Sequence, residues 1–193
     1  MYCDQEINGG GWALVYNSVL GAATLDFWNI PYAQRLGERG RLSLDSNYYN
    51  GSLYQTGSAT YMDVIEDLQG KTTIGFVARA ASINNVNMKF DNPVLVSGNL
   101  SLFYNQFAGG WSAPDYDGDG YFENCATYAN KVTQHYAGCW HYNLGSDADI
   151  SGGDGTDQRL GPHLSNSLVA SLGIAGDGSP YSRVRAIRRY VRW

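Results

Sequence analysis

The residues from 115 to 123 form the segment of this chain whose side chains are best suited to chemistry. Acidic residues alternate there with glycine or tyrosine before a final glutamate: Asp115, Asp117, Asp119 and Glu123. Carboxylates crowded in this way repel each other unless a cation lies among them. Calcium takes about six to eight oxygen ligands, and glycine permits the tight turns that bring backbone carbonyls inward. The segment therefore predicts a calcium site, with Tyr121 inside it.

The spacing does not match an EF-hand. An EF-hand loop carries a bidentate glutamate at its twelfth position, and counting from Asp115 that position is Ala126. We also expect no helices on either side of the segment. An acidic, glycine-rich turn without a metal is the alternative interpretation. The spacing alone does not choose among Asp115, Asp117 and Asp119 as ligands.

Aromatic and polar side chains crowd the segment that follows the acidic run. The set is Tyr128, His135, Tyr136, Cys139, Trp140, His141, Tyr142 and Asn143. Pockets for carbohydrate or acetyl groups use such sets, because a ring face covers apolar surface while polar groups fix the ligand's orientation. Burial of these rings beneath long loops is the alternative interpretation.

Other chemistry has weaker support in the sequence. A second acidic stretch is spaced too loosely to define a cation site, and we prefer a solvated loop: Asp147, Asp149, Asp154 and Asp157. The chain has no His-Glu-x-x-His, Gly-x-Ser-x-Gly or Gly-x-x-x-x-Gly-Lys-Ser/Thr motif. No carboxylate pair is singled out as in a glycosidase. We therefore predict that the protein is not an enzyme.

Composition and charge narrow the class of protein. The chain has 193 residues, including 24 Gly and 15 Tyr, and only 16% are charged. This balance predicts many turns and few long helices, and the length suits a single domain over residues 1–193. The net charge of -5 argues against a nucleic-acid partner. No apolar run is long enough to span a membrane.

The three cysteines form an odd set. Cys125 and Cys139 are 14 positions apart, and a crosslink over such a loop is worth about 3 kcal/mol in the chain-entropy model. Cys3 is then left with a partner upstream of this chain, a partner in another molecule, or none. Disulfides indicate an extracellular protein, and the glycosylation sequons at Asn50 and Asn99 are compatible with that location.

The elements that must position these residues are mostly strands. We predict a hairpin over residues 1–17 around Gly9–Gly11, and a final strand over 181–193 with its charged residues outermost. Further strands are predicted at 71–79, 86–90 and 94–104. Residues 105–163 predict little regular structure, and a metal and a disulfide are the usual organisers of such a stretch.

Helices are predicted at two places only. A short helix is expected after Pro31. A longer one is expected within residues 58–69, because four apolar side chains there share one helical face: Tyr61, Met62, Ile65 and Leu68.

Two distant motifs resemble those of the fibrinogen-like C-terminal domain family. Cys3–Asp4 followed by Gly9–Gly10–Gly11–Trp12 resembles its Tyr-Cys-Asp-x-x-x-x-Gly-Gly-Gly-Trp signature. Residues 117–126 resemble the family's calcium loop, which runs into Asn-Cys-Ala. Cys139 followed by Asn143–Leu144 is similar to its second cysteine, and Tyr181–Ser182 matches the C-terminal pattern in outline.

The resemblance implies an α+β fibrinogen-like domain with a twisted, mainly antiparallel sheet and long calcium-stabilised loops. It implies calcium ligation by the side chains of Asp117 and Asp119 and by the carbonyls of Tyr121 and Glu123. It also implies a Cys125–Cys139 disulfide, with a cis peptide before Cys125. A pocket for acetyl groups would lie beside the disulfide, near Tyr128, Trp140, His141, Tyr142, Tyr181 and Ser182.

Some family features are missing. The middle of the chain, about 18–110, lacks the usual tryptophan landmarks. Trp140 stands where lectin members usually have histidine, with His141 one position later. The spacing between the two cysteines is one residue longer than the commonest pattern. The family's N-terminal segment, which holds the usual partner of Cys3, is absent, so we expect the chain to start inside a larger domain.

The sequence as a whole predicts a secreted or cell-surface recognition domain. We expect calcium-dependent, lectin-like binding of glycans or acetylated groups, as in the ficolins, tachylectins and intelectins of innate recognition. The full-length protein is expected to form homo-oligomers. The alternative is a protein-binding adhesion or assembly module, as fibrinogen chains are.

Overall fold

The computed structural model describes residues 3–21, 27–54, 57–128, 131–139, 141–147, 159–178 and 181–193. Its strands are β1 (Cys3–Asp4), β2 (Trp12–Val19), β3 (Glu38–Gly40), β4 (Tyr48–Asn50), β5 (Ala59–Glu66), β6 (Thr72–Ala80), β7 (Ser82–Ile83), β8 (Phe90–Asp91), β9 (Val94–Gly98), β10 (Gly110–Ser112), β11 (Gln134–Tyr136), β12 (Tyr142–Asn143), β13 (Ser146–Asp147), β14 (Arg159–Leu160), β15 (His163–Ser165), β16 (Tyr181–Arg183) and β17 (Ala186–Arg192). The α-helices in these ranges are α1 (Leu100–Gln106), α2 (Cys125–Tyr128) and α3 (Asn166–Leu172), and single 3₁₀ turns cover Ile7–Gly9, Tyr32–Gln34 and Gly51–Leu53. No helix in these ranges is long and apolar enough to cross a membrane.

The main sheet is antiparallel, with the order β3–β4–β2–β17–β5–β6–β9, and β1 pairs with β2. The predicted N-terminal hairpin is confirmed, since Cys3 lies opposite Ala13 and Asp4 opposite Trp12. Gly10 is required in its turn. A Cβ there would lie 2.5 Å from the carbonyl oxygen of Gln5, and the backbone φ is +74°.

The predicted helix within residues 58–69 is wrong, because this segment forms β5. Both faces of the strand are buried: Tyr61 and Ile65 join the larger apolar cluster, and Met62 and Val64 join a smaller one. A strand covered on both sides is apolar along its whole length. Its sequence therefore resembles that of a buried helix, and periodicity alone does not separate the two.

The strand predicted over 94–104 is correct only in its first half. β9 ends at Gly98, where a Cβ would lie 2.5 Å from the Cα of Phe76. The Asn99 side chain then accepts a hydrogen bond of 2.8 Å from the Leu102 N–H and so caps α1. Residues 86–90 likewise contribute little to a strand, since Met88 has a φ of +55° and pairing begins at Phe90.

The last strand, β17, lies in the centre of the sheet between β2 and β5. The final strand predicted over 181–193 is confirmed from Ala186 onward, whereas Tyr181–Arg183 form the separate strand β16 of a small sheet. The expectation that its arginines all lie outermost is wrong for Arg188, which is buried and pairs with Glu66, and for Arg189. That side chain is 1% exposed, and it pairs with the fully buried Asp63 at 2.6 Å. Because both faces of this central strand are covered, the Arg189 charge has no access to solvent. Asp63 supplies its counter-charge inside the molecule.

Short elements make up the remainder. β10 pairs with β11, β12–β15–β16 form a small sheet, and β13 pairs with β14. The prediction of little regular structure over 105–163 is correct for its described parts, where no strand exceeds three residues. The short helix after Pro31 is the 3₁₀ turn at Tyr32–Gln34.

Candidate functional site

The acidic loop, residues 115–123, connects β10 to α2 and is organised by Asp119. One Asp119 oxygen, Oδ2, accepts hydrogen bonds from the Ser112 hydroxyl at 2.7 Å and from the Cys125 N–H at 3.1 Å. The other oxygen accepts from the Tyr121 N–H at 2.9 Å. Ser112 also accepts from the N–H groups of Gly118 and Asp119. The carboxylate thus fixes the loop against β10 and against the start of α2.

Two glycines allow the acidic loop to lie directly on the backbone of β10. A Cβ on Gly118 would lie 2.3 Å from the carbonyl oxygen of Trp111. A Cβ on Gly110 would overlap the carbonyl oxygen of Gly118 itself. Any larger residue at either position would push the loop away from the strand.

The four carboxylates of the loop differ in their surroundings. Asp115 accepts a hydrogen bond of 2.8 Å from the Tyr32 N–H, so it joins the loop to the 3₁₀ turn after Pro31. Asp117 and Glu123 are exposed and make no hydrogen bond within the described ranges. None of the four forms an ion pair with a described lysine or arginine.

Two carboxylates of the acidic loop have oxygens left over for a cation such as calcium. Asp117 is uncommitted, and Asp119 keeps lone pairs beyond those used by its three protein donors. The described residues contain no group of three or more His, Cys, Asp or Glu side chains able to share a metal. Carbonyls, such as those predicted at Tyr121 and Glu123, would therefore have to complete the shell.

A disulfide joins the two segments that flank the expected pocket. Cys125 at the start of α2 is bonded to Cys139 after β11, with 4.7 Å between their Cα atoms, as predicted. Both are buried with Ala126 and Tyr136. The expected cis peptide before Cys125 is wrong, since the described residues contain none. Asn124 instead caps α2 by accepting from the N–H groups of Ala126 and Thr127.

The small sheet brings together two of the predicted ligand contacts. The Ser165 N–H donates to the His141 carbonyl at 2.9 Å, and Ser165 lies opposite Tyr181 in β15–β16. The His141 ring is exposed, with Nδ1 3.4 Å from the Ser165 hydroxyl. Tyr128 is also exposed, on the helix that begins at the disulfide.

The other predicted contacts fall elsewhere. Tyr142 is fully buried, and its hydroxyl lies 2.6 Å from that of Tyr16. Ser182 is also buried and donates to Asn166 at 3.0 Å. Neither side chain is available to a surface ligand, because each is committed to the interior. Trp140 lies outside the described residues, as do three members of the second acidic stretch: Asp149, Asp154 and Asp157.

Comparison with known proteins identifies the architecture. No family model and no curated protein matches this chain. Among solved structures, the fibrinogen-like globe domain of human ANGPTL6 superposes with a TM-score of 0.60 at 17% identity, covering 100% of this chain and 82% of that one. The chain has the fibrinogen-like fold. The fibrinogen-like globe domain of human ANGPTL2 gives a TM-score of 0.60 at 18% identity, covering 98% of this chain and 83% of that one.

A third fibrinogen-like structure was solved with a peptide. It is the lamprey fibrin D-dimer complexed with the peptide ligand Gly-His-Arg-Pro-amide, with a TM-score of 0.61 and 14% identity. The match covers 98% of this chain and 63% of that chain. The predicted α+β architecture with a mainly antiparallel sheet is thereby confirmed.

Sequence reasoning missed a buried polar cluster inside this fibrinogen-like fold. Arg189 donates to both oxygens of Asp63, at 2.6 and 2.7 Å, and to the Gln106 carbonyl at 3.2 Å. The hydroxyls of Tyr16 and Tyr142 lie 3.3 and 3.4 Å from the same carboxylate. The signal that the sequence did offer was Asp63, an aspartate inside the otherwise apolar run of β5.

His135 completes the cluster as a neutral ring. Burial, together with the Arg189 charge, lowers the pKa of His135 to about 3. Its Nε2 lies 2.8 Å from the carbonyl of Met88 and therefore carries the proton, which leaves Nδ1 to accept from Arg189 at 3.5 Å.

The buried cluster also anchors the strand beside the candidate pocket. The Gln134 amide donates to the Tyr142 carbonyl at 2.7 Å and accepts from the Leu144 N–H at 2.9 Å. Tyr142 therefore fixes β12, next to His141, from both its ring and its backbone.

Proposed function

We propose that this chain is a non-catalytic, extracellular recognition domain that binds glycans or acetylated groups in a calcium-dependent way. Its ligand surface would consist of Tyr128, His141 and Tyr181, beside the Cys125–Cys139 disulfide. The observation that carries the proposal is the hydrogen bond from the Cys125 N–H to Asp119. It joins one of the two carboxylates proposed to hold calcium directly to the disulfide beside the ligand surface.

The mechanism requires no bond breaking. Calcium bound at Asp117 and Asp119 would supply the positive charge that the acidic loop lacks. Asp119 holds the start of α2, and the disulfide holds the segment after β11. The imidazole of His141 can then orient a polar group while the Tyr128 ring covers apolar surface. A surface fixed in advance costs less ordering on binding, and oligomers would add avidity to a weak single site.

A glycan array with and without EDTA tests this proposal. We expect calcium-dependent binding of N-acetylated sugars that is lost in His141→Ala, Tyr128→Ala and Tyr181→Ala. Tyr104→Ala, an exposed tyrosine on α1, is the matched control and should bind normally. A folded protein that binds no sugar, or that binds equally well after chelation, would contradict the proposal.

Recognition of a protein or peptide is the second candidate function. Phe122 is 80% exposed, and its ring lies 4.5 Å from the exposed ring of Tyr121, next to the unpaired carboxylates of the acidic loop. Such a surface suits a basic peptide, because cations are attracted to both carboxylates and ring faces. The peptide bound to the related lamprey fibrin, Gly-His-Arg-Pro-amide, is of this kind.

Fluorescence anisotropy with labelled Gly-His-Arg-Pro-amide separates the two candidates. Peptide binding that is lost in Phe122→Ala but retained in His141→Ala would favour the second function. Peptide binding absent at millimolar concentration, together with sugar binding on the array, would reject it.

A further inference from the structure

A cavity of about 520 Å³ lies beside the β7–β8 hairpin. Its lining consists of polar side chains and two apolar rings: Ser82, Asn84, Asn87, Lys89, Phe90, Asp91, Asn92 and Pro93. The volume falls within the range of about 300–1,000 Å³ that small-molecule sites occupy. None of these residues belongs to the acidic loop, to the disulfide or to the surface proposed above.

The uncommitted polar groups of this cavity are mostly hydrogen-bond donors. Asn84 uses its side-chain oxygen to accept from the Val86 N–H at 2.8 Å, and Asn87 does the same for the Lys89 N–H at 3.1 Å. Their amide nitrogens donate to no other group in the described part of the chain. The Lys89 ammonium has no ion-pair partner there either. Two amide donors and one cation are therefore left for a ligand.

Acceptors are fewer but present. Asp91 is exposed and holds only a long contact of 3.4 Å from the Ser82 hydroxyl. A ligand with hydroxyl groups could donate to this carboxylate, while an anionic group would be placed by Lys89 and the asparagine amides. The Pro93 ring adds apolar surface to the lining. Polyhydroxylated rings with one carboxylate have this combination of groups.

The walls of the cavity are held from three separate parts of the chain. The Tyr32 hydroxyl donates to the Val86 carbonyl at 2.6 Å, and Arg35 donates to the Asn85 carbonyl at 2.8 Å. His135 donates to the Met88 carbonyl at 2.8 Å. The buried Phe90 ring stacks on Phe107 with 3.8 Å between ring centroids. A cavity fixed in this way needs little ordering when a ligand enters.

We propose that this cavity is a second ligand site, which binds a carboxylate-bearing sugar without calcium. Lys89 and the amide of Asn87 bind the ligand carboxylate, and Asp91 accepts from its hydroxyls. The lining of this site shares no residue with the calcium-dependent surface.

Titration of the ¹⁵N-labelled protein with 3′-sialyllactose in EDTA tests this inference, with lactose as the neutral probe. We expect shift changes confined to residues 82–93 and binding about tenfold tighter for sialyllactose than for lactose, as one charge-assisted contact provides. Lys89→Met and Asn87→Asp should each weaken sialyllactose binding about tenfold. Asn87→Asp retains the oxygen that accepts from the Lys89 N–H, and it replaces the amide donor with a carboxylate that repels the ligand carboxylate.

Lys71→Met is the control, since Lys71 lies outside the cavity lining and donates to the Gly173 carbonyl. The inference is overturned if sialyllactose does not bind in EDTA, if lactose binds equally well, or if the shifts fall at residues 117–128 and 141. Failure of the function proposed above would give a different result: no sugar would bind in a calcium-dependent way, whereas sialyllactose would still bind to residues 82–93 in EDTA.

Discussion

The buried pair of Asp63 and Arg189 and the acidic loop of residues 115–123 hold their carboxylates in opposite ways. Asp63 receives two bonds from one guanidinium and lies beside two tyrosine hydroxyls, all of them inside the molecule. The acidic loop has four carboxylates and no described basic partner. The interior cluster is electrostatically complete with the chain's own groups, whereas the loop is left with charge that an external cation could neutralise.

The largest predicted effect tests the completeness of the interior cluster. Arg189→Met should lower the free energy of unfolding by about 3–5 kcal/mol, because it leaves the Asp63 carboxylate buried without a counter-charge. Urea denaturation measures this loss. The double variant Asp63→Leu with Arg189→Met should recover much of it, since it removes both charges together. If the free energy of unfolding of Arg189→Met lay within 1 kcal/mol of the native value, the buried Asp63 carboxylate would not depend on the Arg189 charge.

The loop region has a covalent tie in place of an ion pair. Cys125→Ser with Cys139→Ser should cost about 3 kcal/mol, the chain-entropy value for a loop of 14 residues. Thermal and urea unfolding under non-reducing conditions measure the loss. The control is native protein treated with a reductant, which should show the same loss. If neither changes stability, the loop is held by its hydrogen bonds alone.

Acid should weaken the interior cluster through its histidine. Burial lowers the folded pKa of His135 to about 3, against about 6.5 in the unfolded chain. The unfolded state therefore takes up a proton first, and stability falls by about 1.4 kcal/mol per pH unit as the pH drops from 6.5 toward 3. At pH 5 the loss amounts to about 2 kcal/mol.

Replacement of the ring should remove that pH dependence. His135→Gln should flatten the stability profile between pH 6.5 and pH 5, and urea midpoints at several pH values report it. Burial also lowers the pKa of His163, to about 4, so His163→Gln should flatten the profile in the same direction. His141→Gln, at an exposed position, is the matched control. Equal slopes in all three variants would contradict the assignment.

Local signals in the sequence predicted much of this fold. The Gly9–Gly11 hairpin, the final strand and the Cys125–Cys139 pair each follow from residues close together or from a motif of fixed spacing. The helix predicted within 58–69 failed because β5 is buried on both faces, so its apolar pattern carries no strand period. β9 ends early at Gly98 because this residue lies against the backbone of Phe76, a contact between distant residues that the local sequence does not reveal.

Side-chain contacts, in the buried cluster and at the candidate site, were harder to predict than the fold. Asp63 and Arg189 are separated by 126 positions, and no local pattern connects them. Tyr142 looked like a pocket aromatic because it follows Trp140 and His141, but it points into the interior toward Tyr16. The acidic loop was found from sequence because its four carboxylates lie within nine residues. The role of Asp115 could not be found in this way, since its partner Tyr32 is distant in sequence.

The smallest expected effect is the stabilisation of the fold by calcium, and it tests whether the acidic loop binds this ion. Calcium at tenfold excess over its Kd should add about 1.4 kcal/mol, or about 3–6 °C in Tm, and EDTA should remove it. Asp117→Ala and Asp119→Ala should abolish this shift. Asp115→Ala should keep it, since Asp115 is held by the Tyr32 N–H. An identical melting curve with and without EDTA would mean that the loop tolerates its charge through solvent exposure alone.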